Sequence, residues 1–369
     1  MVRHRSSALL LAWLYAGLIV YASLYPLADW RWPASSPLAF VLLPWPRYWT
    51  AFDLVSNLLG YMPLGFLIFT TQVRSGRSAL IGALHSIWMA ATLSLAMELT
   101  QNGLPSRIPS NVDWALNTIG AAAGAAVGGL TKAVGLLDRW QRLRDRWFVD
   151  SSAGGLALLL LWPVGLLFPT SLPLGVGQVL SRLRVAVTSV LADTPLADWG
   201  RTALEAQAVA PDLSPLGQLC AIALGLLAPC LLGYAVARAG WRRALLLVVV
   251  TLAGVGATTL STALNFGPDH SMAWLTGGAA VGVGVGALAA LLLAWVPRRA
   301  AAALGLMALT ALVMLVAQAP GDAYYAQSLQ AWEQGRFIRF HGAAQWVGWL
   351  WPYAAMAYLL GRVASREDT

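Results

Sequence analysis

Residues 79–101 read ALIGALHSIWMAATLSLAMELTQ, and this stretch decides the fold. From Ala79 it meets no Asp, Glu, Lys or Arg until Glu98. A helix needs about 20 mostly apolar residues to cross roughly 30 Å of hydrocarbon, and this run supplies them. Its far end carries Ser94, Glu98 and Gln101, spaced i, i+4, i+7 along one helical face. Ionisable groups in hydrocarbon cost roughly 2.5–3.5 kcal/mol each on insertion scales, so they seldom sit there without a partner or a task.

The neighbouring runs repeat the pattern. One begins with Asp53, Asn57 and Gly60, the other with Asp113, Asn117, Gly120 and Gly124. Arg107 lies in the short loop 102–112 between Pro105 and Pro109. So short a loop makes the spans at 79–101 and 113–131 antiparallel neighbours, with all the polar groups at one depth. Asp53 and Asp113 stand where helix N-termini favour carboxylates. The Arg107 guanidinium can reach Glu98, Asp113 or an anionic group on a ligand. Ordinary roles compete with these. Aspartates at helix starts are caps, and Asn57 and Asn117 can bridge helices. Gly60, Gly65, Gly120, Gly124 and Gly128 read as close-packing positions.

The rest of the chain has the same character. Of 369 residues, 58% are hydrophobic and 11% charged, against about 25% charged in a soluble domain. The expected fold class is therefore an all-α, polytopic membrane bundle. Ten spans are expected: 8–27, 53–72, 79–101, 113–131, 153–170, 217–237, 244–264, 272–295, 300–318 and 344–361. The net charge of +8 needs no nucleic-acid partner, because the basic residues fall mostly in loops. With residue 1 inside, inner segments hold about twice as many Lys and Arg as outer ones, which favours both termini inside. The first run is too long for the h-region of a cleaved signal peptide, so it reads as an uncleaved span. Trp30, Trp32, Trp45 and Trp49 read as interfacial anchors. Cys220 and Cys230 lie in one apolar run, too far apart on a helix to bridge, and neither a metal set nor a cofactor motif is expected. The run Gly282-Val283-Gly284-Val285-Gly286 has no preceding strand and is no nucleotide loop.

Spans one to four recur weakly as spans five to eight. Ala8-Leu9-Leu10-Leu11-Ala12-Trp13 is echoed by Ala157-Leu158-Leu159-Leu160-Leu161-Trp162. Gly120, Gly124 and Gly128 match Gly278, Gly282 and Gly286 at a constant offset. This points to a degenerate 4+4 parallel repeat followed by two C-terminal helices. The expected units are 1–132, a basic cytoplasmic linker 133–150, a second four-helix unit 151–297, and a two-helix unit 298–369. The second unit carries an outside loop, 171–216, with an amphipathic helix near 178–192, and the last an outside amphipathic loop, 319–343. At the repeat offset Glu98 falls on Gly256, Arg107 on Asn265 and Asp113 on Ser271, so the second copy reads as scaffold.

The stretch Asp53-Leu54-Val55-Ser56-Asn57-Leu58-Leu59-Gly60-Tyr61-Met62-Pro63-Leu64-Gly65, with Glu98-Leu99-Thr100-Gln101, Arg107 and Asp113-Trp114-Ala115-Leu116-Asn117-Thr118-Ile119-Gly120, resembles the VanZ-like family. The resemblance covers roughly residues 10–130. It implies a bacterial cytoplasmic-membrane protein of the cell envelope, related to a glycopeptide-resistance accessory protein that acts on teicoplanin susceptibility. Cell-wall or surface-polymer lipids would be its partners.

Three function classes are consistent with these residues. The leading one is binding of a polar lipid or lipid-linked saccharide headgroup at the outer leaflet by Asp53, Asn57, Glu98, Gln101, Arg107, Asp113 and Asn117. The second is a membrane-embedded enzyme with Glu98 as general base, for which neither a nucleophile–base pair nor a metal set is visible. The third is a transporter, suggested by the ten spans and the repeat: Met62-Pro63-Leu64-Gly65 could break its helix near the middle, but the charged groups sit at the rim and not at the bilayer midplane.

Overall fold

The computed structural model describes residues 7–25, 27–33, 36–45, 51–170, 172–178, 213–318 and 338–365, with isolated positions between 187 and 198. The amphipathic helix expected near 178–192 and the surface segment within 319–343 lie almost wholly outside the described residues. Among the described residues there are eleven α-helices and no strand, only an isolated bridge between Phe148 and Ala237. The chain forms two compact units, Met1–Arg146 and Trp147–Thr369.

The first unit contains α1 (Ser7–Leu24), α2 (Ala51–Arg74), α3 (Ala79–Gln101), α4 (Asn111–Ala133) and α5 (Leu136–Trp147). Ser78 caps α3 by accepting the Ile81 N–H, the usual remedy for an unpaired donor in a first turn. Pro63 lies inside α2, which runs on unbroken to Arg74.

Helices α2 and α4 meet backbone to backbone. A side chain added at Gly65 would strike the Ala121 backbone, one at Gly120 the Leu58 carbonyl, and one at Gly124 the Met62 carbonyl. Gly128 lies against the Phe69 ring. Gly60 differs from the expectation: a Cβ there meets nothing within 4 Å, so it is not a packing glycine. The expected linker after α4 is a helix of its own. Gly135, with φ of 71°, turns the chain through 72° into α5, whose Arg144 is buried.

The second unit contains α6 (Ala153–Leu166), α7 (Pro215–Val236), α8 (Trp241–Phe266), α9 (Gly277–Leu292), α10 (Arg298–Val316) and α11 (Ile338–Ala364). Helix α7 is its hub, buried along most of its length. Leu309 and Leu312 of α10 and Trp351 and Leu359 of α11 share one buried cluster with Leu226, Leu231 and Leu232 of α7. The last two helices thus join the second unit's core, and no packing boundary falls at 297.

Arg243, in the first turn of α8, is fully buried. It donates to the carbonyls of Tyr234 (2.8 Å), Ala237 (3.3 Å), Ala294 (3.1 Å) and Val296 (2.6 Å), gathering the C-terminal ends of two chain segments.

Within α6–α9 the same five helix pairings occur as within α1–α4. Gly282 packs on Ile222 and Gly286 on the Ala223 carbonyl, as Gly120 and Gly124 pack on α2. Gly278 stands open, with nothing within 4 Å of an added Cβ, and so is not a packing glycine either.

Among the described residues, six helices (α2, α3 and α7–α10) are long and apolar enough to cross a membrane, and α4 with α5 makes a seventh as a bent pair. Helices α1 and α6 are apolar but shorter. The 14 residues of α6 span roughly 21 Å. The architecture is that of a polytopic helical membrane protein.

Candidate functional site

The polar residues of the first unit collect where α3 ends and α4 begins. Ser110 caps α4, its Oγ accepting the Asp113 N–H at 3.3 Å. Asp113 therefore sits inside the first turn, near the positive end of the helix dipole, and is not itself the cap. The backbone N–H of Ser110 donates to Glu98 Oε2 at 2.8 Å. In a capping box the acid of the helix's own first turn would take that bond. Here Glu98 takes it from the neighbouring helix. Glu98 is 4% exposed, and the charges of Asp113 and Arg107 both act on it.

Deeper in the unit, Asn117 Nδ2 donates to Ser94 Oγ at 2.9 Å, and both residues are buried. Tyr61 of α2, also buried, lies beside Ser94 and Glu98. One buried polar atom in this cluster, Asn117 Oδ1, makes no hydrogen bond to a described residue. Most buried side-chain polar atoms in proteins are paired, so an unpaired one near a buried carboxylate calls for an explanation.

Gln101 and Arg107 also reach the end of α1. Gln101 Nε2 donates to the Ser23 carbonyl at 3.0 Å. An Arg107 terminal nitrogen donates to the carbonyls of Ala22 (3.2 Å) and Tyr25 (3.0 Å). These carbonyls belong to the end of α1, where a helix leaves its last acceptors without partners. Gln101 and Arg107 thus close α1 and tie it to the α3–α4 end. Asn57 is half-buried and bonded to none of the described residues, and the side chain of Asp53 lies outside them.

Residues 27–33 and 36–45 lie over this end of the unit. The Arg31 N–H donates to the Gly103 carbonyl at 2.8 Å, Asn102 Nδ2 to that of Pro37 at 3.2 Å, and Asn111 Nδ2 to that of Leu43 at 2.6 Å. Phe40, in the short 3-10 helix Ala39–Leu42, is buried, whereas Trp32 and Leu42 are 95% and 89% exposed. Leu27 and Asp29 adopt φ of 63° and 59°, a left-handed turn that aims the segment back across the helix ends.

Tyr61, Ser110 and this covering segment were not among the expected site residues. Tyr61 is one turn beyond Asn57 on the same face of α2, so extending that stripe would have found it. Ser110 required knowing where α4 begins. The cluster can accept hydrogen bonds at Glu98 and Asn117 and donate or accept one at Tyr61, a set suited to hydroxyl-rich or amide-bearing groups. Among the described residues no group of three His, Cys, Asp or Glu is placed to hold a metal ion.

Residues 9–132, the first third of the chain, match the VanZ/LLP1 family model. No curated protein and no solved structure matches the chain.

Proposed function

We propose that the VanZ-like domain binds the polar headgroup of a lipid or lipid-linked saccharide at the outer leaflet of the bacterial cytoplasmic membrane, and so influences tolerance to envelope antibiotics. One observation carries this reading: Asn117 Oδ1 is buried in the cluster around Glu98 and makes no hydrogen bond to a described residue. Leaving such a group unmatched costs about 1–3 kcal/mol, a cost that a bound sugar or peptide headgroup offsets. Glu98 is held by Ser110 through one carboxylate oxygen, and its other oxygen accepts no bond from the described residues. Residues 27–33 and 36–45, with their exposed Trp and Leu side chains, would lie in the membrane interface over the site.

Arg107 has a narrower role in this reading than a phosphate ligand. Its bonds to Ala22 and Tyr25 make it the residue that closes α1 around the site.

The test compares a deletion strain with strains carrying Glu98→Gln or Asn117→Leu, at matched protein levels, for glycopeptide and envelope-stress sensitivity. Variants matching the deletion support a working site. Variants indistinguishable from wild type would make the cluster a structural bridge and overturn the reading.

The unengaged oxygen of Glu98 also favours a second reading, in which that carboxylate acts as general base on a lipid-linked substrate. Turnover of a purified lipid-linked saccharide by the wild type, lost in Glu98→Gln, would select it.

A further inference from the structure

The helix that follows α4 has a chemistry of its own. Twelve residues long, α5 carries Arg139, Arg142, Arg144, Arg146, Asp138 and Asp145. So dense a set of charges bars it from hydrocarbon. It is not needed there either. The 23 residues of α4 cover about 34 Å at about 1.5 Å each, enough to cross a membrane alone. The bent pair is therefore one span followed by a helix turned 72° away from it. That turn lays α5 close to the plane of a membrane that α4 crosses, at the opposite end of α4 from Ser110.

The sides of α5 differ. Leu136, Trp140 and Leu143, at i, i+4 and i+7, form an apolar stripe, each residue about half exposed. Exposed Leu130 and Val134 carry the apolar surface of α4 up to the start of that stripe. Along one flank stand Arg139, Arg142 and Arg146, all exposed. Asp138 and Asp145 take the far side, where both act on the charge of Arg74 at the end of α2. Asp145 also accepts a hydrogen bond from Gln141 Nε2 at 3.1 Å. The acids are thus engaged away from the stripe, and the basic flank borders it.

We propose that α5 lies in the membrane surface and gathers anionic phospholipid around the inner end of the α4 turn. Leu136, Trp140 and Leu143 enter the boundary between headgroups and acyl chains, with the Trp ring at the depth such rings favour. Arg139, Arg142 and Arg146 meet the headgroup phosphates beside them. A lipid partner fits better than a protein one, because the stripe continues the lipid-facing surface of a span and its flank complements a negative surface. The proposal is independent of the headgroup reading, which concerns the other end of α4.

Lipid quenching of a local fluorophore tests it on the full-length protein. Leu143→Cys, in a Cys220→Ser background that leaves only the buried Cys230, is labelled with bimane. The protein is reconstituted into vesicles of equimolar phosphatidylcholine and phosphatidylglycerol, with one lipid or the other brominated on its chains. Brominated phosphatidylglycerol should quench more, reporting a local excess of at least about fivefold, the contribution of one arginine near an anionic surface. With Arg139→Gln, Arg142→Gln and Arg146→Gln combined, quenching should persist but become nearly equal for the two lipids. The same label at Asp138→Cys, on the far side, should be quenched by neither. Thermal melts check folding, and Leu136→Cys serves if Leu143→Cys fails to fold. Quenching by neither lipid at the stripe would leave it to a protein partner and overturns the proposal. Equal quenching by both lipids with the arginines in place, a preference that survives the triple change, or equal quenching at 138 and 143 overturns it as well.

Discussion

Glu98 of α3 accepts the backbone N–H of Ser110, the residue that caps α4, at 2.8 Å. One carboxylate thereby completes the start of a helix to which it does not belong. The bond fixes the α3–α4 corner and holds Glu98 in place beside Asn117, Ser94 and Tyr61. It also separates two properties that usually change together, the volume of the side chain and its charge.

Glu98→Ala leaves the Ser110 N–H unpaired in a buried setting, which should cost about 1–3 kcal/mol. Glu98→Gln keeps a carbonyl acceptor in place and should melt close to wild type. Thermal unfolding of the purified variants in one detergent measures both. A Gln variant as unstable as the Ala variant would mean that the charge itself holds the corner.

Tyr61→Phe keeps the ring and removes a buried hydroxyl that lies beside Ser94. The loss in the melt should not exceed about 0.5–1.5 kcal/mol, the worth of one neutral hydrogen bond. If the cluster binds a headgroup, the same variant should nonetheless behave as a loss of function in the glycopeptide-sensitivity profile. Loss of stability without loss of function would assign Tyr61 to packing.

Arg107→Ala frees the last carbonyls of α1, and Arg107→Lys restores charge but not the planar fork that spans two acceptors. Hydrogen exchange at residues 20–25 should accelerate in both, more in Ala, with protection in the middle of α3 unchanged. Uniform acceleration across α1–α4 would instead place Arg107 in the core stability of the unit.

Gly124→Leu should cost at least the about 1–3 kcal/mol usual for overpacked positions, because the new side chain meets the Met62 backbone and not a movable group. Gly60→Leu meets open space and should stay within roughly 0.5 kcal/mol of wild type. Unfolding in a denaturing detergent titration separates the two, and equal effects would refute the contact.

Arg243→Met deletes donors to four carbonyls at the buried ends of α7 and of the segment after α9. Bonds from a charged donor contribute about 1.5–3 kcal/mol each, so a loss of at least about 3 kcal/mol is expected in the melt. A near-neutral effect would mean that water replaces the guanidinium there.

The helices were legible because apolar length dominates everything else in such a chain. The spans expected at 79–101 and 217–237 lie within two residues of α3 and α7. The ends of others were harder to read, since capping decides them. Helix α4 begins at Asn111 because Ser110 caps it, and α9 begins at Gly277 because Thr276 accepts the Ala279 N–H. The site was legible as a set of stripes but not as a division of labour. Stripes give the face of each helix, and only the packed arrangement separates Asn117, which turns to Ser94, from Gln101 and Arg107, which turn to the end of α1. Arg243 could not be singled out for a related reason: the sequence shows a basic residue beside a span, and only the packed arrangement shows the carbonyls of two segment ends around it.

The contact of α2 with α4 through bare backbone has a bearing on how this domain can change over time. Side chains at a helix interface can be exchanged for one another, but main-chain atoms that touch cannot be resized. Inserting one residue in α2 between Leu58 and Tyr61 would rotate everything beyond it by about 100° and advance it by about 1.5 Å. Tyr61 would leave Ser94, and the carbonyl of Met62 would leave Gly124. In this stretch the chain can accept replacements far more readily than insertions or deletions, so lineages of this domain should vary in composition while α2 and α4 keep their length in step.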